Sequence, residues 1–235
     1  MKRENWVVFA PFYLLVVIFC LGIAGAGSRA VTTIHQNSPV KRNHSIVIDA
    51  GHGGIDGGAT SCTGVLESHI NLEIAIRLND LFHLLGYDTV MIRTTDESIY
   101  TEGNTIAAQK ISDLKERVRI TNETPNSFLI SLHQNTFQDS KYSGAQVFYA
   151  NTHPSQNIAK LLQSELIRMM DCSDKRSAKP AKGVYLMEHI SRPGILIECG
   201  FLTNPMEESL LRNGEYQKKL CAVIAATFSC TFAGT

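Results

Sequence analysis

The sequence has no charge excess: 22 Lys and Arg stand against 22 Asp and Glu in 235 residues, for a formal net charge of zero. Nucleic-acid binding normally shows a basic surplus, so that class of partner is set aside. The six cysteines include no CxxC pair, which excludes the spacing of a zinc ribbon and of a thioredoxin-type redox site. Cys221 and Cys230 lie nine residues apart in one helical stretch, too far to bridge along a helix. The cysteines therefore read mostly as small buried hydrophobes. Internal repeats and low-complexity tracts are also missing, so solenoids and biased segments are excluded.

One long apolar run is present. Lys2 and Arg3 lead into Trp6 to about Ala26, interrupted only by Pro11. About 20 such residues suffice to span a bilayer, and the leading basic residues place the bulk of the chain outside the cytoplasm. Ala24-Gly25-Ala26 also offers a small-x-small cleavage site, so residues 1–29 read either as a membrane anchor or as a removed signal peptide. Phe19 stands before Cys20, where lipoprotein processing wants a small residue, and lipidation is not expected. Residues 30–44 are polar, contain a proline and read as a linker. Residues 45–235 suit one globular α/β domain with a sizeable core.

Within that domain, Ile46 to Ile48 is a β-branched run that leads through Asp49 and Ala50 into a turn with glycines at 51, 53, 54, 57 and 58 around His52. From Ser68 the spacing predicts an amphipathic helix, with Ile70, Ile74, Leu78, Leu81 and Leu85 inward and Gly86 as its stop. Strands are predicted over Tyr87–Arg93, Phe128–Leu132, Ala145–Ala150, Val184–Met187 and Ile195–Ile197. Helices are predicted over Asp113–Asn122, Ser155–Met170 and about Tyr216–Phe232, with Ile158, Leu161, Leu162, Leu166 and Met169 inward in the second. Thr94–Lys110 and Cys172–Lys182 read as loops. Such alternation implies a sheet covered on both faces, with its ligand site beyond the carboxyl ends of the strands.

Strands run into His52, His133 and Glu198, and that shared position is the argument for a site. A catalytic zinc takes three ligands from histidines and carboxylates and keeps one position open. His52, Glu67 and His133 can supply that set, and Glu198, ending an apolar strand, suits proton transfer with a raised pKa. Each residue also has a plainer reading. Glu67 can be a first-turn dipole partner, His133 a turn residue, and Cys199 either a packing residue or the nucleophile of a thiol hydrolase. His69, His83, His153 and His189 show no paired partner.

The stretches IVIDAGHGGIDGGA, GVLESHINLEIA, LISLHQN and PGILIECGFLTNP together resemble the zinc-dependent N-acetylmuramoyl-L-alanine amidases, from Ser45 to the C-terminus. The resemblance implies a mixed, mostly parallel six-stranded sheet with helices on both faces. It implies zinc on His52, Glu67 and His133, catalysis by Glu198, and peptidoglycan as substrate. KISDLKERVRITNE, GAQVFYA and GVYLMEHISRPG resemble the family's sporulation branch, which acts on spore-cortex peptidoglycan and leads to muramic-δ-lactam and germination competence. That implies an extracytoplasmic place on the forespore envelope, with membrane attachment if the N-terminal segment is uncleaved. An activating protein partner is allowed for, its identity open. Wall-binding repeats are not seen, nor is an insertion between Asn135 and Glu198 long enough for an inhibitory helix. Gln134 stands where the family often has Ala or Leu, which leaves fine substrate fit open. A non-catalytic wall-peptide binder on the same fold is the competing class, and the proton-transfer group at Glu198 argues against it.

Overall fold

The computed structural model describes residues 44–170 and 175–232. The N-terminal segment and nearly all of the linker lie outside the described residues, as does the start of the loop after residue 170. No helix among the described residues is long and apolar enough to cross a membrane.

The elements are β1 (Ser45–Ala50), α1 (Glu67–Leu84), β2 (Asp88–Met91), α2 (Ile106–Glu123), β3 (Ser127–Asn135), β4 (Gln146–Tyr149), α3 (Ser155–Met170), β5 (Lys179–Pro180), α4 (Tyr185–His189), β6 (Gly194–Phe201), α5 (Pro205–Leu211) and α6 (Gly214–Phe232). They form one six-stranded sheet in the order β2-β1-β3-β6-β4-β5. β1 pairs in parallel with β2 and β3, and β3 with β6, while β4 runs antiparallel to β6. The mixed, mostly parallel sheet expected from the sequence is thus present.

Period-two alternation divides the sheet's side chains between two layers. Ile46, Ile48, Ile130, Leu132, Ile195 and Ile197 pack with Ile74 and Phe82 of α1, Leu162 of α3, and Ile224 and Phe228 of α6. Val47, Leu129 and Leu196 face the other way, against Val118 of α2 and Leu186 and Met187 of α4. On that second face the apolar residues give way, toward the strands' carboxyl ends, to Asp49, Ser131, His133 and Glu198. The thick layer holds the domain together and the thin one holds the polar groups.

The Phe228 ring centroid lies 4.8 Å from that of Phe128 and 6.0 Å from that of Phe82, edge to face in both cases. It ties α6 to the sheet and to α1 at once. Phe228→Ala should cost about 3–5 kcal/mol, read from urea denaturation of the purified protein. A loss below ~1 kcal/mol would show that the layer closes over the missing ring.

Several boundaries differ from those predicted. Val184–Met187 does not form a strand; most of it enters α4, because a short apolar run has no period that separates helix from strand. α2 begins at Ile106, capped by Thr105 whose side chain accepts from the Ala108 N–H, so the long loop is shorter than expected. β3 and β6 continue past the predicted ends, so His133 and Glu198 lie inside strands. α1 begins at Glu67, one residue before the predicted start, with Leu66 at its N-cap and no side-chain cap. Leu85, Leu161 and Met169 are exposed rather than inward, while Ala159 and Met170 face the core of their helix. Cys199 and Cys221 are buried, but Cys62 and Cys230 are exposed.

Candidate metal centre

The run Ile46-Val47-Ile48 is buried in the sheet, and its direction throws the following residues beyond the sheet's edge. The chain turns there with His52 at φ 61°, a left-handed conformation uncommon for a side chain other than glycine and often kept where function requires it. Gly51 is needed by close approach, since a Cβ there would stand 2.2 Å from the His133 ring. Gly58 is needed too: its Cβ would meet Glu67 Oε2 at 2.6 Å and His52 Cδ2 at 2.7 Å. The glycines let two imidazoles and a carboxylate lie flat against the backbone.

His52, Glu67 and His133 come together from β1's loop, the first turn of α1 and β3. One ligand atom from each can be chosen so that all lie within 4.8 Å of one another. His133 Nδ1 is 3.0 Å from Glu67 Oε1, and His52 Nε2 is 3.4 Å from Glu67 Oε2. Donors around a tetrahedral zinc with bonds of ~2.1 Å stand roughly 3.4 Å apart, so this set of two imidazoles and one carboxylate fits zinc. The groups favour the deprotonated carboxylate. Burial pushes Glu67 up, but hydrogen bonding and charge from His133, charge from His52 and the Ala59 N–H outweigh it and hold Glu67 at about 2.

Residues the sequence reading passed over keep these three side chains in place. Asp56 Oδ2 lies 3.0 Å from His52 Nδ1, and Lys110 Nζ donates to Asp56 Oδ1 at 2.8 Å. Burial raises the Asp56 carboxyl, but the hydrogen bonds and charge from Lys110 and His52 outweigh it and hold it down at about 2. Asp56 therefore fixes the ring so that Nε2 faces Glu67. Below the loop, Arg93 Nε donates to the Ala50 carbonyl at 2.8 Å and Arg93 Nη2 to Gly51 O at 3.1 Å. Arg117 Nη2 donates to the His52 carbonyl at 2.8 Å, and Arg117 pairs with Asp49 and Asp113. Both arginines are buried. The one hint in the sequence was Arg117's place four residues after Asp113.

Glu198 faces His133 across the β3–β6 pairing, where the register shifts just beyond the pair. Burial lifts its carboxyl to about 7, His133 pulling it down and Glu67 adding to the rise. Its Oε2 is buried without a hydrogen-bond partner. His52, His133 and Glu198 line a cavity of about 300 Å³ with Ile55, Leu114 and Leu186. Cys199, next along β6, points to the opposite, helix-covered face, and burial drives its thiol pKa upward. That removes it as a nucleophile. Gln134 also turns away from the cavity toward α1, donating to Asn71 Oδ1 at 3.1 Å. His69 has a partner after all, Asp96 at 2.9 Å on the exposed rim.

A family model described as N-acetylmuramoyl-L-alanine amidase matches residues 46–229. The germination-specific N-acetylmuramoyl-L-alanine amidase of Bacillus subtilis (strain 168) is 39% identical over 226 residues, covering 95% of this chain and 92% of that one. Among solved structures, the CwlD amidase from Clostridioides difficile in complex with the GerS lipoprotein superposes with a TM-score of 0.78 at 36% identity, over 82% of this chain and 100% of that one. The N-acetylmuramoyl-L-alanine amidase from Clostridium difficile 630 superposes with a TM-score of 0.70 at 28% identity, over 83% and 99% of the two chains. With the match spanning the strands, the glycine loop and the clustered histidines alike, this chain belongs to the N-acetylmuramoyl-L-alanine amidase family.

Proposed function

We propose that the chain hydrolyses the amide between the lactyl group of N-acetylmuramic acid and L-alanine in peptidoglycan, with zinc on His52, Glu67 and His133 and Glu198 as the proton-transfer group. The observation that carries this reading is the buried, unpartnered Oε2 of Glu198, on a carboxylate that lines the same cavity as both imidazoles. Zinc held there supplies a Lewis acid that acidifies water and polarises a carbonyl. The chain's own groups do the rest. Glu198, with its carboxyl near neutrality, takes a proton from the attacking water and returns one to the departing nitrogen. The carbon–nitrogen bond breaks as the carbon–oxygen bond forms, leaving a lactyl carboxylate and a free amine on L-alanine. Asp56 holds the His52 tautomer, and Lys110 keeps Asp56 ionised. Ile55, Leu114, Val184 and Leu186 line the cavity and give it apolar walls.

A relative named as germination-specific supports a role in germination, and the sporulation-branch resemblance adds spore-cortex peptidoglycan as the substrate, where stripping the peptide prepares muramic acid for a deacetylase and for muramic-δ-lactam. Work on that polymer requires an extracytoplasmic domain, residues 45–235, behind an anchor or signal peptide over 1–29 and a linker over 30–44. A structural relative is in complex with a lipoprotein, which supports an activating protein partner. Mass spectrometry of digested peptidoglycan should find peptides with a free L-alanine amino terminus and glycan whose bare muramic acid keeps its N-acetyl group. A zinc chelator should suppress both products. Internally cut peptides with no such terminus would mark an endopeptidase and defeat the assignment.

A further inference from the structure

Each of the three ligand residues sits on a different element, and one buried amide touches all three segments. Asn71 lies one turn after Glu67 on α1 and is fully buried. Its Nδ2 donates to the Gly51 carbonyl at 3.1 Å, the residue before His52, and to Glu67 Oε1 at 3.2 Å. Its Oδ1 accepts from Gln134 Nε2 at 3.1 Å, the residue after His133. The Gln134 backbone N–H donates to Glu67 Oε1 at 3.0 Å as well.

The chemistry determines how these amides point. A carbonyl and an ionised carboxylate only accept, so Asn71 must turn its NH₂ to Gly51 and Glu67. Its oxygen is then left for Gln134, which must answer with its own NH₂. Only a neutral side chain that both donates and accepts satisfies this place. A carboxylate would repel Glu67, and an ammonium would put a cation beside a cation site. We infer that Asn71 and Gln134 form a positioning pair for the metal centre, setting the Glu67 carboxylate against both histidine-bearing segments. The inference rests on the zinc reading of His52, Glu67 and His133. Its support is the hydrogen bonds themselves.

Outer groups that orient a ligand typically change metal affinity by 10–100-fold when lost. Asn71→Leu removes all the side-chain bonds at near-constant volume, and Gln134→Met removes the bond to Asn71 together with the Gln134 contact to the Cys199 thiol, which lies on the far face from the metal centre. Zinc dissociation constants of the purified full chain would be measured by competition with a chromogenic chelator, beside the visible spectrum of the cobalt(II) form. Asn71→Leu should weaken zinc by ~10–100-fold and Gln134→Met by ~10-fold, each with an altered cobalt spectrum. The double variant should fall short of the summed effects, since one bond joins the pair. A purely structural role would move the melting midpoint in the presence of chelator and leave zinc affinity and the cobalt spectrum alone. Folded variants that hold zinc within twofold of wild type, with the same spectrum, would overturn the proposal. If Asn71→Leu does not fold, Gln134→Met decides the matter. Wild-type protein that takes up no zinc would overturn the metal reading itself, and this proposal with it.

Discussion

Glu198→Gln should leave zinc uptake and the fold intact while turnover falls by at least ~10²-fold. The substitution keeps the side chain's shape and removes its ability to accept a proton. Among the described residues the cavity's other carboxylates are already engaged, Asp113 by Arg117 and the Ile99 N–H. Asp49 is committed to Arg117 and Ser131, and Asp56 to His52 and Lys110. Burial holds Glu198 up at about 7, and a cation beside it would draw that value down. The acid limb of kcat/KM in the wild-type enzyme should therefore lie at or below neutrality, activity rising as Glu198 ionises. In the variant that limb should disappear along with the rate. Metal content and a pH–rate profile test both parts. Wild-type turnover in a zinc-loaded Glu198→Gln protein would move the base elsewhere.

Arg117→Met should be the most damaging change outside the proposed catalytic set. Arg117 and Asp49 are both buried, and removing one member of a buried ion pair costs about 3–5 kcal/mol because the other charge stays behind without its partner. In the wild-type protein burial raises the Asp49 carboxyl, but Arg117, His133 and Ser131 outweigh it and leave it below its ordinary value. A depressed carboxyl contributes stability that is present above its unfolded pKa and is lost as pH falls through the folded one. Without Arg117 burial dominates, the folded pKa rises, and the sign reverses. The carboxyl's penalty then grows as pH rises from the unfolded value through the folded one. The stability gap between wild type and variant should thus be widest near neutrality and narrow below about pH 4. Adding Asp49→Asn should recover part of the loss at neutral pH. Denaturant midpoints across that range would show it. Equal stability at neutral pH would mean that the pair contributes nothing. Activity should suffer too, because Arg117 holds the His52 carbonyl.

Three of the proposed site residues were legible in the chain because each follows an apolar strand run, and strands that share a direction bring their ends to one edge. His52, His133 and Glu198 could be placed together on that ground before any coordinates. Glu67 needed the family resemblance, since a glutamate opening a helix is usually explained by the helix dipole alone. Asn71 and Arg117 were not readable. A polar residue on a helix looks solvated until the packing shows what covers it, and α2's charged stripe has the same pattern as an exposed face. Val184–Met187 failed for a related reason, its apolar run being too short to reveal a period.

Sequence alone therefore determined what local chemistry can determine: the strands of β-branched residues, the glycine turn, the long helices and the ligand types at the strand ends. Tertiary structure decided which charges are buried, that Asp56 orients His52, that Cys199 turns to the covered face, and that Asn71 touches the segments bearing His52, Glu67 and His133. Those depend on partners up to 82 residues away in the chain, as between Ser131 and Asp49. Burial and hydrogen bonding are properties of pairs brought together by the fold, and a single residue's identity does not carry them.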